Sequence, residues 1–250
     1  MNRKGKNFLM AIIFSVIVIV VAVAGYMVLG GDNTLGRIFQ ILGGFMPSGV
    51  IQFMTYVAFF WGIFEINERS HKIKYERKSF EMGLLPEKEQ WVLSPDDVND
   101  LKIKMINQEE SGKLLMTDII KKASTKFRAN KSISDVMDIV STQVKINMTR
   151  AESRQSVIRY LTWAIPSIGF IGTILGIAQA LGYADQASDP EGLKMVTSQM
   201  YIAFDTTLVS LILSIILVWF FYRLQENEEE LHTNMEEYVM ENLVNRIHVE

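Results

Sequence analysis

Residues 160–184 read YLTWAIPSIGFIGTILGIAQALGYA, with no charged side chain between Arg159 and Asp185. A helix rises about 1.5 Å per residue, so about 20 apolar residues cross the roughly 30 Å hydrocarbon core of a bilayer. A backbone in lipid must satisfy its hydrogen bonds within its own segment. The stretch therefore predicts a transmembrane helix.

Three further segments meet the same criterion: residues 8–29, 43–64 and 195–222. Between the second and third spans, the chain carries mixed charge and helix signals, such as the N-cap pattern Ser94-Pro95-Asp96-Asp97. The predicted fold is all-α, a polytopic membrane protein with four transmembrane helices and a helical cytoplasmic domain between spans two and three. The predicted segments are a transmembrane hairpin (1–65), the cytoplasmic domain (66–156), a second transmembrane hairpin (157–222) and a helical tail (223–250).

Lysine and arginine flank the spans unevenly. They cluster before spans one and three and after span two, and Arg223 follows span four, whereas the short connections 30–42 and 185–194 contain only Arg37 and Lys194. The positive-inside rule then predicts that both termini and the middle segment are cytoplasmic.

The first span has the features of a signal peptide or of a retained anchor, and its length favours the anchor. No Pro or Gly separates Ser132 from the third span, so we expect one unbroken helix there, and we expect the fourth helix to continue into the tail.

Composition excludes several classes of function. The chain is 49% hydrophobic and 21% charged, has a formal net charge of −3 and contains no cysteine. This balance does not favour nucleic-acid binding, and neither a disulfide nor a thiolate metal site can form. The three histidines lack the spacing of metal ligands, and no glycine-rich phosphate loop is present. We therefore expect no enzyme activity, no catalytic residue, no metal and no cofactor.

Small side chains follow one stripe of the third span. At about 100° per residue, Gly169, Thr173 and Gly176 fall together, and Gly172 lies at the edge. Such a stripe permits close approach of another helix, so spacing alone favours a packing role. Pro166 precedes the stripe and either kinks the helix or is tolerated in the span.

Hydroxyl groups occupy one face of the fourth span. Thr207, Ser210 and Ser214 share this face, and Thr206 lies about 60° to one side. These hydroxyls either support ion or proton movement through a protein-lined passage, or bond backbone carbonyls one turn back. Asp205 is the only carboxyl within a span, and it lies about 160° from Thr207. It is either a structural hydrogen-bonding group or an ion relay.

The last two spans together resemble the MotA/TolQ/ExbB proton-channel family. Residues 165–176 read IPSIGFIGTILG, similar to the family's proline-led, glycine-rich helix. Residues 203–211 read AFDTTLVSL, similar to its "AxxTTxxGL" helix, with Ser210 where the motif usually has glycine. The resemblance covers about 151–222, and the earlier half of the chain matches in layout, which is closer to the flagellar-stator arrangement.

The resemblance implies a stator subunit of the bacterial inner membrane. It implies a homopentamer around two copies of a MotB/TolR/ExbD-like single-span partner, whose membrane Asp binds the transported H⁺ or Na⁺. By position, Thr173 and Thr207 would face that Asp, and ion flow would be converted into mechanical motion. The alternative from the residues alone is a non-conducting membrane scaffold or signalling protein. A solute transporter is less favoured, because no inverted repeat is visible.

Overall fold

The computed structural model describes residues 3–30, 33–43, 48–88 and 90–248. The chain forms two compact units, which are described separately. The apolar unit comprises Met1–Asn67 and Ser156–Tyr222, and the polar unit comprises Glu68–Gln155 and Arg223–Glu250. Among the described residues, every regular element is helical apart from one isolated β-bridge between Leu93 and Ile247. The predicted all-α class is therefore confirmed.

The α-helices follow in a single order along the chain. They are α1 (Arg3–Leu29), α2 (Thr34–Gly43), α3 (Ser48–Arg77), α4 (Pro95–Ser111), α5 (Leu115–Asn130), α6 (Ile133–Arg154), α7 (Ser156–Gly182) and α8 (Pro190–Asn242). Four of the described helices are long and apolar enough to cross a membrane, which confirms the four predicted spans. The second span was predicted to start at residue 43, but Gly43 is the last residue of α2 and α3 begins at Ser48; residues 44–47 lie outside the described residues. The fourth helix extends into the tail, as predicted.

The first connection is not a plain loop. It contains α2, a ten-residue helix that packs on α1. The contact is close because glycines lie in it: a Cβ on Gly25 would come within 2.7 Å of the Phe39 ring, and one on Gly43 within 3.0 Å of the Ala22 Cβ. Sequence reasoning missed this helix because its segment is too short and too polar to qualify as a span.

The predicted unbroken helix into the third span is interrupted at one residue. Helix α6 ends at Arg154 and α7 begins at Ser156. Gln155 keeps a right-handed helical backbone, but its N–H donates to both Ala151 O and Glu152 O, at 3.2 and 3.1 Å. The ladder therefore tightens towards 3₁₀ geometry at this point, and neither proline nor glycine is needed for such a change.

The polar unit has an apolar core built by α4, α5 and α6 together with the end of α8. Its completely buried side chains include Met105, Met116, Ile120, Val140 and Met235. The predicted N-cap of α4 is confirmed. Ser94 Oγ accepts from Asp97 N at 3.3 Å, and the Asp97 carboxylate accepts from Ser94 N at 2.9 Å, so that two otherwise unpaired N–H groups are satisfied.

Candidate functional site

The glycine stripe of α7 packs directly against the hydroxyl face of α8. A Cβ on Gly169 would come within 1.8 Å of Ser210 Oγ, and one on Gly172 within 2.2 Å of Thr206 Oγ1. Further along, a Cβ on Gly176 would come within 2.7 Å of Ala203. The two helices can approach this closely only because α7 has no side chain at these positions. The glycines of the stripe therefore lie in the contact between α7 and α8.

Thr173 and Thr207 meet at the edge of this interface. Their hydroxyl groups are hydrogen-bonded to each other. Thr207 Oγ1 also lies 3.0 Å from Gly169 O and 3.2 Å from Ala203 O, and Thr173 Oγ1 lies 3.2 Å from Ala203 O. Both side chains are only half-buried, so the pair forms a polar spot beside an otherwise tightly packed contact.

Thr206 and Ser210 occupy a different environment from this pair. They are 1% and 0% exposed, packed behind the glycines. Thr206 Oγ1 donates to Ile202 O at 3.0 Å, and Ser210 Oγ donates to Thr207 O at 2.9 Å. Their hydroxyls are thus satisfied within α8, as serine and threonine commonly are in membrane helices. The structure does not bring them to the half-exposed edge that Thr173 and Thr207 share.

Pro166 lies inside α7, and the helix continues through it. Proline has no N–H, so the carbonyl oxygen of Thr162, four residues earlier, loses its usual helical donor. Ser214 Oγ donates to that carbonyl at 3.4 Å. A hydroxyl of α8 therefore replaces the missing backbone hydrogen bond of α7, which is how membrane helices accommodate proline.

Asp205 faces α2 and not the threonine pair. Its carboxylate pairs with the Arg37 guanidinium at 2.9 Å, and the two side chains are 15% and 30% exposed. Arg37 also lies over the Tyr201 ring, 4.4 Å from its centroid, and donates to Gln40 Oε1 at 2.8 Å. Sequence analysis placed Asp205 and Thr207 on different faces of the helix, but it did not identify Arg37 as the partner of Asp205. The available signal was a lone arginine in a short connection that otherwise lacks basic residues.

One family model matches this chain. It is described as the MotA/TolQ/ExbB proton channel family and covers residues 111–237. This match contains both α7 and the membrane part of α8, and thus the entire Thr173–Thr207 contact. The chain belongs to the MotA/TolQ/ExbB family. No curated protein and no solved structure matches it.

Family membership and the four apolar helices make this chain a membrane protein with a general ion-channel or stator role. MotA/TolQ/ExbB proteins work with partner subunits in complexes, and their shared activity is transport of protons, not catalysis of a reaction. Among the described residues, no group of three or more His, Asp or Glu side chains could hold a metal ion.

Proposed function

We propose that this chain is the channel-forming subunit of a stator driven by an ion-motive force. It lies in the bacterial inner membrane with both termini in the cytoplasm. As the family resemblance implies, five copies surround two copies of a single-span partner that carries a membrane Asp. Protons, or sodium ions, pass between this partner and the threonine pair, and their flow drives mechanical motion.

The observation that carries this proposal is the half-exposed, mutually bonded pair of Thr173 and Thr207. Each hydroxyl has one proton to donate and two lone pairs to accept with. Backbone carbonyls of Gly169 and Ala203 lie within reach of these protons. Because those carbonyls compete for the donors, the pair has more capacity to accept a hydrogen bond than to donate one.

This imbalance suits one state of the partner's Asp better than the other. A protonated carboxyl can donate its O–H to a free lone pair of either threonine. A carboxylate needs donors. To bind one, a threonine hydroxyl would have to break its hydrogen bond to a backbone carbonyl and donate to the carboxylate instead. The threonine pair therefore favours the neutral, protonated Asp, and loss of the proton weakens the contact. Binding and release of each ion then change which site on the ring the partner prefers.

The energy available is sufficient for such steps. One elementary charge crossing a potential of 100 mV releases about 2.3 kcal/mol. That quantity can bias a conformational equilibrium by more than tenfold without nucleotide hydrolysis.

A proton-flux assay tests the proposal. Liposomes should contain this chain together with its Asp-bearing partner, and flux should be measured under an imposed potential. We expect the variant Thr173→Val/Thr207→Val to lose most of the flux, because valine keeps the shape and removes both hydroxyls. Undiminished flux would contradict the proposed role.

The matched control is Thr55→Val/Thr162→Val. Both residues lie in apolar segments, and their hydroxyls bond carbonyls of their own helices, Ile51 O at 2.9 Å and Arg159 O at 2.7 Å. This variant loses the same two groups without touching the threonine pair. It should conduct as the unmodified protein does.

A further inference from the structure

The polar unit contains a small open cleft of about 70 Å³ that the channel role does not use. Helices α3, α6 and α8 line it with residues spaced three and four apart, which places them on one face of each helix. Ile73, Ala151 and Leu231, one from each helix, form an apolar floor. Polar and charged side chains surround this floor.

Positive charge dominates the cleft. Arg69, Lys72, Arg150 and Arg154 line it, against the two carboxylates Glu76 and Glu228. Lys72, Arg150 and Arg154 make no ion pair within 4 Å with any carboxylate in the described part of the chain. These three cations, Lys72, Arg150 and Arg154, are therefore available to a ligand.

Both carboxylates are engaged elsewhere. Glu76 Oε2 accepts from Leu115 N at 2.8 Å, in the first turn of α5, and Glu228 accepts from Gln155 Nε2. Burial lowers the pKa of the Lys72 ammonium, and the charge of Arg154 acts in the same direction. Burial raises the pKa of Glu76. In both cases the largest cause is desolvation of the charged form.

Two buried polar atoms at the cleft have no hydrogen-bond partner among the described residues: Asn147 Nδ2 and His232 Nε2. Asn147 is 5% exposed and His232 is 3% exposed. His232 Nδ1 lies 2.7 Å from Glu228 O. Because a carbonyl only accepts, the proton of this hydrogen bond belongs to Nδ1. The Asn147 Nδ2 group is an orphaned donor, which costs stability unless something accepts from it, so a ligand at this site has a defined place to bind.

We propose that this cleft binds a phosphate-bearing anion. Arginine guanidinium groups match phosphate oxygens with paired N–H donors, and Arg150 and Arg154 of α6 supply them here, together with the Lys72 ammonium of α3. The Asn147 amide adds a buried donor. Donors on both α3 and α6 suit the tetrahedral oxygens of a phosphate better than the flat pair of a carboxylate. The shared chemistry is a phosphate group, either on a soluble molecule or on a lipid headgroup.

Thermal unfolding of the full-length chain in phosphatidylcholine nanodiscs tests the proposal. A ligand that binds the folded state raises the midpoint in a concentration-dependent manner. One arm adds inorganic phosphate, with sodium chloride of equal ionic strength as the reference, and a second arm adds short-chain phosphatidic acid. A rise with phosphate supports a soluble ligand, and a rise with phosphatidic acid alone supports a lipid headgroup.

The variant Arg150→Gln/Arg154→Gln should abolish either rise. Both arginines are exposed at the rim, so their loss leaves the buried floor intact. If the double variant unfolds, the single variants Arg150→Gln and Arg154→Gln should each weaken the apparent affinity about tenfold. The control Arg128→Gln/Lys145→Gln removes two exposed charges outside the cleft and should keep the full rise. No rise with either ligand, or a rise that survives Arg150→Gln/Arg154→Gln, would overturn the proposal.

Discussion

Ser214 on α8 donates its hydroxyl hydrogen bond to the carbonyl oxygen of Thr162 on α7, at 3.4 Å. This carbonyl is the one that Pro166 leaves without a helical donor. The two helices therefore share a hydrogen bond that a proline makes necessary.

We predict that the effects of Ser214 and Pro166 are coupled. Ser214→Ala should destabilise the chain by about 1 kcal/mol, because the Thr162 carbonyl then lacks a donor. In the Pro166→Ala background, the new N–H of residue 166 can donate to that carbonyl, and Ser214→Ala should cost much less. Unfolding in detergent of the two single variants and the double variant measures the coupling. Additive effects would show that Ser214 does not replace the missing donor.

The contact between Gly169 and Ser210 predicts a rescue experiment. Gly169→Ala places a Cβ where Ser210 Oγ lies, and overpacking of this kind costs about 1 to 3 kcal/mol. Ser210→Gly should restore most of the lost stability, because it removes the obstructing group. Gly182→Ala is the control, since nothing lies within 4 Å of its Cβ position. Thermal midpoints of these variants measure the loss and the recovery. An unchanged midpoint in Gly169→Ala would contradict the close packing of Gly169 against Ser210.

The ion pair of Arg37 and Asp205 predicts that Asp205 is structural. Asp205→Asn should lower the thermal midpoint, because Arg37 loses its charged partner in a partly buried place. Arg37→Gln/Asp205→Asn should regain part of that loss, with a coupling of about 1 kcal/mol. We also expect the double variant to retain proton flux in liposomes with the partner subunit. Loss of flux despite recovered stability would instead identify Asp205 as an ion relay.

Glu76 predicts a pH dependence of stability. Burial raises its folded-state pKa, although the Leu115 N–H opposes the shift. The folded state therefore holds this proton to a higher pH than the unfolded state, and the stability contributed by Glu76 falls as pH rises from its ordinary pKa through the raised one.

Glu76→Gln should reduce this decline, since glutamine can still accept from Leu115 N and never ionises. Thermal midpoints recorded from pH 4 to 8 measure the difference. The exposed residue Glu81 provides the control Glu81→Gln, which should follow the unmodified protein. An unchanged slope in Glu76→Gln would show that Glu76 does not cause the decline.

The fold was largely predictable because hydropathy reports membrane spans directly. The four apolar runs and the small-residue stripe of α7 required only the helical period. Helix α2 was missed, since its ten residues carry too weak a signal to separate a helix from a loop. The change at Gln155 was also missed, because a switch from α to 3₁₀ hydrogen bonding leaves no mark on composition.

The site was predictable only in part. Sequence periodicity identified the hydroxyl face, but not that Thr206 and Ser210 are buried while Thr207 remains at the edge. Arg37 and Asp205 are 168 residues apart in the chain, and no local pattern connects such positions. The cationic cleft likewise forms only where three helices meet. Within each helix, the lining residues are spaced three and four apart in the sequence, but this spacing does not reveal that the helices come together.

A cryo-EM map of this chain purified with its partner subunit would show directly whether the threonine pair faces that partner. We predict that the edge formed by Thr173 and Thr207 faces the transmembrane helix of a second polypeptide, with a carboxyl side chain within hydrogen-bond reach of the threonine hydroxyls. Lipid density against this edge, with no polypeptide beside it, would contradict the proposed ion-conducting role of the threonine pair.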